Sequence, residues 1–187
     1  MPATLTERPA DRFAMLDALP IRGKRCVEIG VYQGDFAAEI LARKPKDLLL
    51  VDPYRHNPGY ADTLNHSQED FDRIRETARL RFAEDKRVRW FWGTSAQAIR
   101  MQKPVFDFVN IDARHEYEHV LSDLCLWFPF VRLGGWIACH DFGGRNNCFP
   151  GVREAVEDFC RLSGSAVAFE TAEEFWTTAA IQVGCNS

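Results

Sequence analysis

The chain has 187 residues, a length typical of one domain, so we expect a single domain over residues 1–187. Apolar residues make up 46% of the chain and aromatic residues 12%, which excludes an intrinsically disordered protein. The formal net charge of −4 argues against a nucleic-acid partner, and without a run of about 18 apolar residues the chain has no predicted membrane span.

The first half of the chain alternates short apolar runs with longer segments of helical period. This alternation is the pattern of βαβ units, which build a parallel sheet. The helix that starts at Ser67 is indicated by the pair Ser67 and Asp70, which resembles a capping box. The elements predicted here are a strand over 25–29, a helix from about 35, a strand over 48–51, a helix from 67, a strand over 88–92 and a short helix over 95–101.

The second half continues the same alternation. Pro129 is expected to end a helix, and Gly134 with Gly135 to turn the chain into the next strand. The predicted elements are a strand over 106–111, a helix over 117–128, a strand over 136–139, a helix over 152–162 and strands over 167–169 and 176–183. The last strand is a candidate hairpin partner. We therefore predict an α/β fold with a doubly wound, mostly parallel sheet and an antiparallel C-terminal strand.

Cysteine and tryptophan positions give two further expectations. None of the six cysteines forms a C-x-x-C pair, and Cys26 and Cys139 lie in apolar strand-like runs, so we expect reduced structural thiols rather than a zinc site. With no secretion signal at the start of the chain, this favours a cytoplasmic protein. Four tryptophans on apolar faces are predicted to be core residues: Trp92, Trp127, Trp136 and Trp176.

Polar or glycine residues follow five successive predicted strands. They are the segments 28–34, 92–95 and 112–115 together with Asp52 and the pair His140-Asp141. Ligands of an open parallel sheet bind beyond the carboxyl ends of its strands, so we expect a site there. Glycine spacing in the segment 28–34 is not G-x-G-x-x-G, which argues against a nicotinamide or flavin cofactor. A carboxylate at Asp52 can accept hydrogen bonds from two ribose hydroxyls.

Two sets of motifs resemble those of known enzymes. The segments 28–34 (EIGVYQG) and 51–54 (VDPY) resemble motifs of class I S-adenosylmethionine-dependent methyltransferases. The segment 111–117 (IDARHEY) is similar to the metal-dependent O-methyltransferase group that includes macrocin O-methyltransferases and cephalosporin-hydroxylase-like proteins. Further positions of that pattern are Asp123, Gly134-Gly135 and His140-Asp141. The resemblance covers residues 11–183, nearly the whole chain.

The resemblance implies a Rossmann-like methyltransferase fold that binds S-adenosylmethionine. It implies that Glu28, Gly30 and Gly34 surround the methionine part of the cofactor, that Asp52 holds the ribose and that Ser95 borders the adenine. The implied metal-binding residues are Asp112 and Asp141, with His140 as a candidate third ligand. The implied catalytic residues are His115, as the base, and Asp112.

His140 departs from the pattern, since several relatives have two adjacent acids at this point. Magnesium prefers oxygen ligands, whereas coordination by His140 would favour manganese, iron or zinc. Loss of the metal is a third alternative. Asp112 as a helix cap, His115 as a surface residue and His140 as a structural residue also remain open. For His115 we expect a neutral ring, because the helix start and a nearby cation both disfavour imidazolium.

The function expected from the resemblance is transfer of a methyl group from S-adenosylmethionine to a hydroxyl of a small acceptor, a sugar or natural product, with metal assistance. Two alternatives stay open. One is a metal-dependent oxygenase of the cephalosporin-hydroxylase-like type, because two histidines and a carboxylate are the composition of an iron site. The other is a non-catalytic module that binds S-adenosylmethionine. A homo-oligomer is left open, with a dimer as the default.

Overall fold

The computed structural model describes residues 8–101, 105–145 and 147–184. In these residues one sheet contains seven strands: β1 (Arg25–Ile29), β2 (Asp47–Val51), β3 (Val88–Phe91), β4 (Phe106–Ile111), β5 (Val131–Gly144), β6 (Val167–Glu170) and β7 (Phe175–Gln182). The helices are α1 (Arg12–Ala18), α2 (Asp35–Ala42), α3 (Gln68–Arg81), α4 (Ser95–Ile99), α5 (Tyr117–Trp127), α6 (Pro150–Ser163) and a 3₁₀ turn at Phe128–Phe130.

The strand order is β3-β2-β1-β4-β5-β7-β6. Strands β1 to β5 pair in parallel, and β7 pairs antiparallel with both β5 and β6. The order reverses between β1 and β4, which is where an open α/β sheet binds its ligands. The predicted doubly wound sheet with an antiparallel C-terminal strand is confirmed.

Helices cover both faces of the sheet. The sheet thereby separates the core into two clusters, one on each face. On one face Val27 and Val109 pack with Leu124 and Trp127 of α5. On the other face Cys26 packs with residues of α1 and α2. Because strands buried on both faces carry apolar residues toward both clusters, their runs in the sequence are mostly apolar rather than alternating.

Two elements differ from the sequence prediction. Helix α1 was not predicted; it has only seven residues, it is capped by the side chain of Asp11 and it buries Met15 and Leu16. Strand β5 is longer than the predicted 136–139, because pairing with β7 continues through a bulge after Cys139. His140 and Asp141 therefore lie inside a strand, beyond the point where it leaves the parallel part of the sheet.

The tryptophan prediction is half wrong. Trp127 and Trp136 are buried, but Trp92 is 43% exposed and Trp176 is 54% exposed. Trp92 stacks on Trp90 with ring centroids 4.3 Å apart, so one indole covers the other at the sheet edge. Cys26, Cys139 and Cys160 are buried thiols, while Cys185 lies outside the described residues. Within the described ranges, no helix is long and apolar enough to cross a membrane.

Candidate active site

The ends of β4 and β5 bring the predicted metal-binding residues together. Asp112 follows β4, and its backbone N–H donates to the carbonyl of Ile29 at 2.8 Å. Asp141 lies in the bulge of β5 with a φ of 58°, a left-handed conformation that a non-glycine residue seldom adopts. Gly30 allows the turn after β1 to approach, because a Cβ there would lie 1.9 Å from the carbonyl oxygen of Asp112.

Four side chains converge at this edge. The Nε2 atom of His115 lies 3.0 Å from Oδ2 of Asp141 and 4.0 Å from Oδ1 of Asp112. The Nδ1 atom of His140 lies 3.5 Å from Oδ1 of Asp112 and 3.2 Å from Oδ2 of Asp141. We call these four residues the acid–imidazole cluster. It contains all three predicted metal-binding residues and the predicted base.

Charge within the cluster is tightly coupled. Burial favours neutral rings, but the close negative charges of Asp112 and Asp141 raise the pKa of His115 to about 10 and that of His140 to about 9. Burial also opposes ionisation of Asp112, yet the two histidines and Arg12 hold its pKa well below the usual value. The neutral ring expected for His115 depended on a nearby cation, whereas these directions are set by the protein's own carboxylates, so the neutral ring stays a prediction.

The donor set of the cluster fits a divalent cation. One ligand atom from each of Asp112, His115 and Asp141 can be chosen so that all three lie within 4.8 Å of one another. Nε2 of His115 and Nδ1 of His140 are buried and lack an aligned hydrogen-bond partner in the described part of the chain. Buried polar atoms are rarely left in this state. Two imidazole nitrogens beside two carboxylates form a set that a transition metal would complete.

Arg12 is a member of the site that the sequence did not reveal. Its guanidinium lies 3.0 Å from Oδ2 of Asp112, a residue 100 positions away, and 5.0 Å from the centre of the Phe36 ring. Helix α1 places it there. Asp11, an aspartate before an apolar stretch, was the available signal for that helix, but nothing in the sequence pairs Arg12 with Asp112.

The far side of His115 faces the loop between β2 and α3. Its Nδ1 atom lies 3.1 Å from Oδ2 of Asp62 and 3.0 Å from the hydroxyl of Tyr60. The ring also packs on Phe149, with centroids 4.1 Å apart. Asp62 was given no role in the sequence analysis.

Asp52 is engaged by its own neighbours. Its Oδ2 accepts hydrogen bonds from the N–H groups of Val31 and Tyr32, and its Oδ1 accepts one from Tyr54. Burial raises the pKa of Asp52, and these three N–H groups oppose the rise. The carboxylate thus joins the turns after β1 and β2, in the position from which it is predicted to hold a ribose.

Glu28 and Asn110 lie side by side on β1 and β4. Both are 1% exposed, and Oε2 of Glu28 and Nδ2 of Asn110 lack a hydrogen-bond partner among the described residues. Burial, followed by the charge of Asp112, raises the pKa of Glu28 well above its usual value. Such a pair suits a polar ligand that would supply the missing partners.

Gly34 and Ser95 have structural reasons for their identity. Gly34 caps α2 with a φ of 80°, and a Cβ there would lie 2.6 Å from the ring of Phe82. The hydroxyl of Ser95 accepts a hydrogen bond from the indole N–H of Trp127 at 2.7 Å and also bonds to Asp123. The cofactor contacts implied for these two residues stay predictions.

Comparison with known proteins agrees with this geometry. A family model described as a methyltransferase domain matches residues 27–142, and no curated protein matches the sequence. Among solved structures, the O-methyltransferase NovP is 17% identical, with a TM-score of 0.64, over 90% of this chain and 74% of that chain. Fibrillarin from Aeropyrum pernix, which contains S-adenosyl-L-methionine, is 12% identical, with a TM-score of 0.59, over 95% and 70% of the two chains.

A methyltransferase-type protein from Streptococcus mutans, solved in complex with SAH, is 10% identical, with a TM-score of 0.66, over 95% of this chain and 99% of that chain. At these identities the solved structures establish the fold, which is that of class I methyltransferases. The matched family model spans well over half of the chain. The chain therefore belongs to the methyltransferase domain family.

Proposed function

We propose that the chain transfers a methyl group from S-adenosylmethionine to a hydroxyl of a small molecule, a sugar or natural product, with the help of a divalent cation. The observation that carries this proposal is the acid–imidazole cluster at the switch in strand order of a methyltransferase sheet. Similarity to the fold of the O-methyltransferase NovP supports the choice of oxygen as the acceptor atom.

S-adenosylmethionine would supply an electrophilic methyl group on its sulfonium, so the protein's main task is to align the acceptor. Glu28 and Asn110 offer an unpaired acceptor and an unpaired donor for the polar methionine end. Gly30 and Gly34 shape the turn beside them, Asp52 would hold the ribose, and Ser95 would border the adenine.

The residues that would hold the cation are Asp112, His140 and Asp141, since Nδ1 of His140 lies 3.5 Å from Asp112 and 3.2 Å from Asp141. Nε2 of His115 lies 3.0 Å from the same Asp141 carboxylate. A divalent cation there would bind the acceptor oxygen and lower its pKa. An imidazole among the donors, that of His140, favours manganese, iron, cobalt or zinc over magnesium.

His115 is the proposed base, because its Nε2 atom faces the cluster while the opposite side of the ring is in contact with the loop. A ring with a pKa of about 10 carries a proton near neutral pH. The role of base therefore requires that the charges of Asp112 and Asp141 be offset, as ligand binding at those carboxylates would do.

Two measurements test the proposal. Calorimetry should show binding of S-adenosylmethionine and its demethylated product S-adenosylhomocysteine, with little affinity for NAD. Labelled methyl from S-adenosylmethionine should then appear on members of a panel of hydroxylated small molecules, and a chelator should suppress the transfer. Full transfer in the chelator would exclude metal assistance. Oxygen uptake without consumption of S-adenosylmethionine would instead favour the oxygenase, whose two-histidine composition the cluster shares.

A further inference from the structure

The loop between β2 and α3 reaches the cluster through a buried carboxylate. The side chain of Asp62 is 3% exposed, and its Oδ2 atom lies 3.1 Å from Nδ1 of His115. The hydroxyl of Tyr60 lies 3.0 Å from the same nitrogen. Two oxygen atoms from a single loop therefore lie beside Nδ1 of His115.

The hydrogen bonds around these oxygens fix where the proton on the ring lies. The Tyr60 hydroxyl donates to Oδ2 of Asp62 at 2.9 Å, so its oxygen is left to accept. A carboxylate oxygen also accepts only. Both neighbours of Nδ1 are thus acceptors, and Nδ1 of His115 carries a hydrogen. Once the charges of Asp112 and Asp141 are offset and the ring is neutral, a hydrogen on Nδ1 leaves the lone pair on Nε2, which lies 3.0 Å from Oδ2 of Asp141.

Asp62 is itself held in place. Its Oδ1 atom accepts a hydrogen bond from the backbone N–H of Leu64 at 2.7 Å. The guanidinium of Arg114 lies 4.8 Å from the centre of the Tyr60 ring, and Phe149 packs on the open face of His115. The hydrogen bond from Leu64 and the packing of Phe149 therefore hold Asp62 and the imidazole in their relative positions.

We propose that Asp62 is a positioning residue, which keeps Nδ1 of His115 protonated and directs the Nε2 lone pair into the acid–imidazole cluster. A carboxylate that accepts from the far nitrogen of an imidazole sets its tautomer and orientation and raises the basicity of the near nitrogen. What Nε2 then does, as a metal ligand or as a base, rests on the proposed function. The placement of the proton on Nδ1 does not.

The first test follows that proton by NMR of protein labelled with ¹⁵N-histidine. Wild type should show a downfield Nδ1–H resonance that disappears in His115→Gln. The resonance should shift upfield or be lost in Asp62→Asn, which keeps the volume and an acceptor for the N–H of Leu64. Asp158→Asn, which alters a similar tyrosine–aspartate hydrogen bond at 2.8 Å elsewhere, should leave it unchanged. An unchanged resonance in Asp62→Asn would overturn the proposal.

The second test measures Co²⁺ affinity by its visible absorption. Asp62→Asn should bind Co²⁺ about 10–100-fold more weakly than wild type, the usual effect of removing a hydrogen-bond partner of a ligand. His115→Gln should also weaken binding, and the double variant should lose nothing beyond His115→Gln alone. If His115→Gln weakens binding, equal affinity of Asp62→Asn and wild type, or losses that simply add, would refute positioning through His115.

The two tests separate this proposal from the proposed function. If wild type binds no Co²⁺ while the Nδ1–H resonance still depends on Asp62, metal assistance fails and the positioning role stands. If Co²⁺ binds and the resonance is independent of Asp62, the metal proposal stands and the positioning role fails.

Discussion

The carboxylate of Asp52 holds backbone N–H groups and is predicted to bind the ribose, and one substitution tests both roles. It accepts three backbone N–H groups, from Val31, Tyr32 and Tyr54, and two of these residues have positive φ. In Asp52→Ala those donors lose their partner, at a cost of about 1–3 kcal/mol for each one left unsatisfied. We expect a lower melting temperature together with weaker binding of S-adenosylhomocysteine, measured by thermal denaturation and calorimetry.

Asp35→Ala is the matched control for this substitution. It also removes a carboxylate near the turn after β1, but that side chain is 71% exposed and pairs with Arg81. We expect it to change stability and affinity by much less. A variant Asp52→Ala that melts like wild type yet loses affinity would mean that the carboxylate serves the ribose alone.

At the scale of elements, the turn after β1 depends on a close approach that only glycine permits. Gly30 has a φ of 84°, and a Cβ would meet the carbonyl oxygen of Asp112 at 1.9 Å. Gly30→Ala must therefore displace the end of β1 from that of β4. We expect a loss of several kcal/mol in the free energy of unfolding, measured by denaturant titration.

Gly23→Ala separates the clash from backbone strain. Gly23 has a similar φ of 70°, but a Cβ there meets nothing within 4 Å. Its substitution should cost only about 1–2 kcal/mol, the penalty of a left-handed conformation. Equal costs for the two variants would show that the contact with Asp112 is not what requires glycine at position 30.

The contact between α4 and α5 buries an acid that favours its protonated form. Burial raises the pKa of Asp123 to about 6, and the hydrogen bond from Ser95 only partly opposes this. Because the folded pKa lies above the unfolded value of about 3.9, this group's contribution to stability is full below pH 4 and is lost as the pH rises through 6. The loss corresponds to about 3 kcal/mol.

Asp123→Asn removes that titration. The stability of the variant relative to wild type should therefore be about 2–3 kcal/mol more favourable at pH 7 than at pH 4, measured by urea denaturation. Glu118→Gln, an exposed position on the same helix, is the control. A relative stability of Asp123→Asn that does not change between the two pH values would contradict the buried environment assigned to this acid.

Local sequence was sufficient to predict the bounds of the central strands, which are buried on both faces of the sheet. Strands β1 and β4 have the predicted bounds, because strands buried on both faces are mostly apolar and stand out in the sequence. Helix α1 and the second half of β5 were missed for a different reason. A seven-residue helix has almost no periodicity, and β5 continues only because β7 pairs with it. Trp92 is at the sheet edge, where an apolar alternation does not indicate burial.

Across the whole molecule, the site combines residues that the sequence places together with residues that only the structure brings to them. Asp112, His115, His140 and Asp141 were predictable because parallel strands end at one edge. Asp62 and Arg12 were not predictable, because a loop and a short helix, rather than strand ends, bring them to the site. The N-terminal segment is held by the turn after β6: Arg8 donates to the carbonyl of Glu170, and Pro9 accepts from Ala172.

Arg12 couples that N-terminal segment to the cluster through charge. Its guanidinium lies 3.0 Å from Oδ2 of Asp112 and is 23% exposed. A positive charge this close repels a second cation, by about 3 kcal/mol for two unit charges 5 Å apart at an effective dielectric of 20, by twice that for a divalent ion, and by less where solvent screens it. We therefore expect Arg12→Gln to bind Co²⁺ about tenfold more tightly than wild type, as measured by titration of the visible absorption.

Arg43→Gln controls for loosening of α1. Arg43 pairs with Asp17 at the end of that helix, so its substitution weakens the attachment of α1 without removing the charge beside Asp112. We expect Arg43→Gln to bind Co²⁺ with wild-type affinity. Tighter binding in Arg12→Gln alone identifies its guanidinium as a competitor for the Asp112 carboxylate. Weaker binding would mean that Arg12 orients Asp112 for the cation, and the electrostatic prediction would then be wrong.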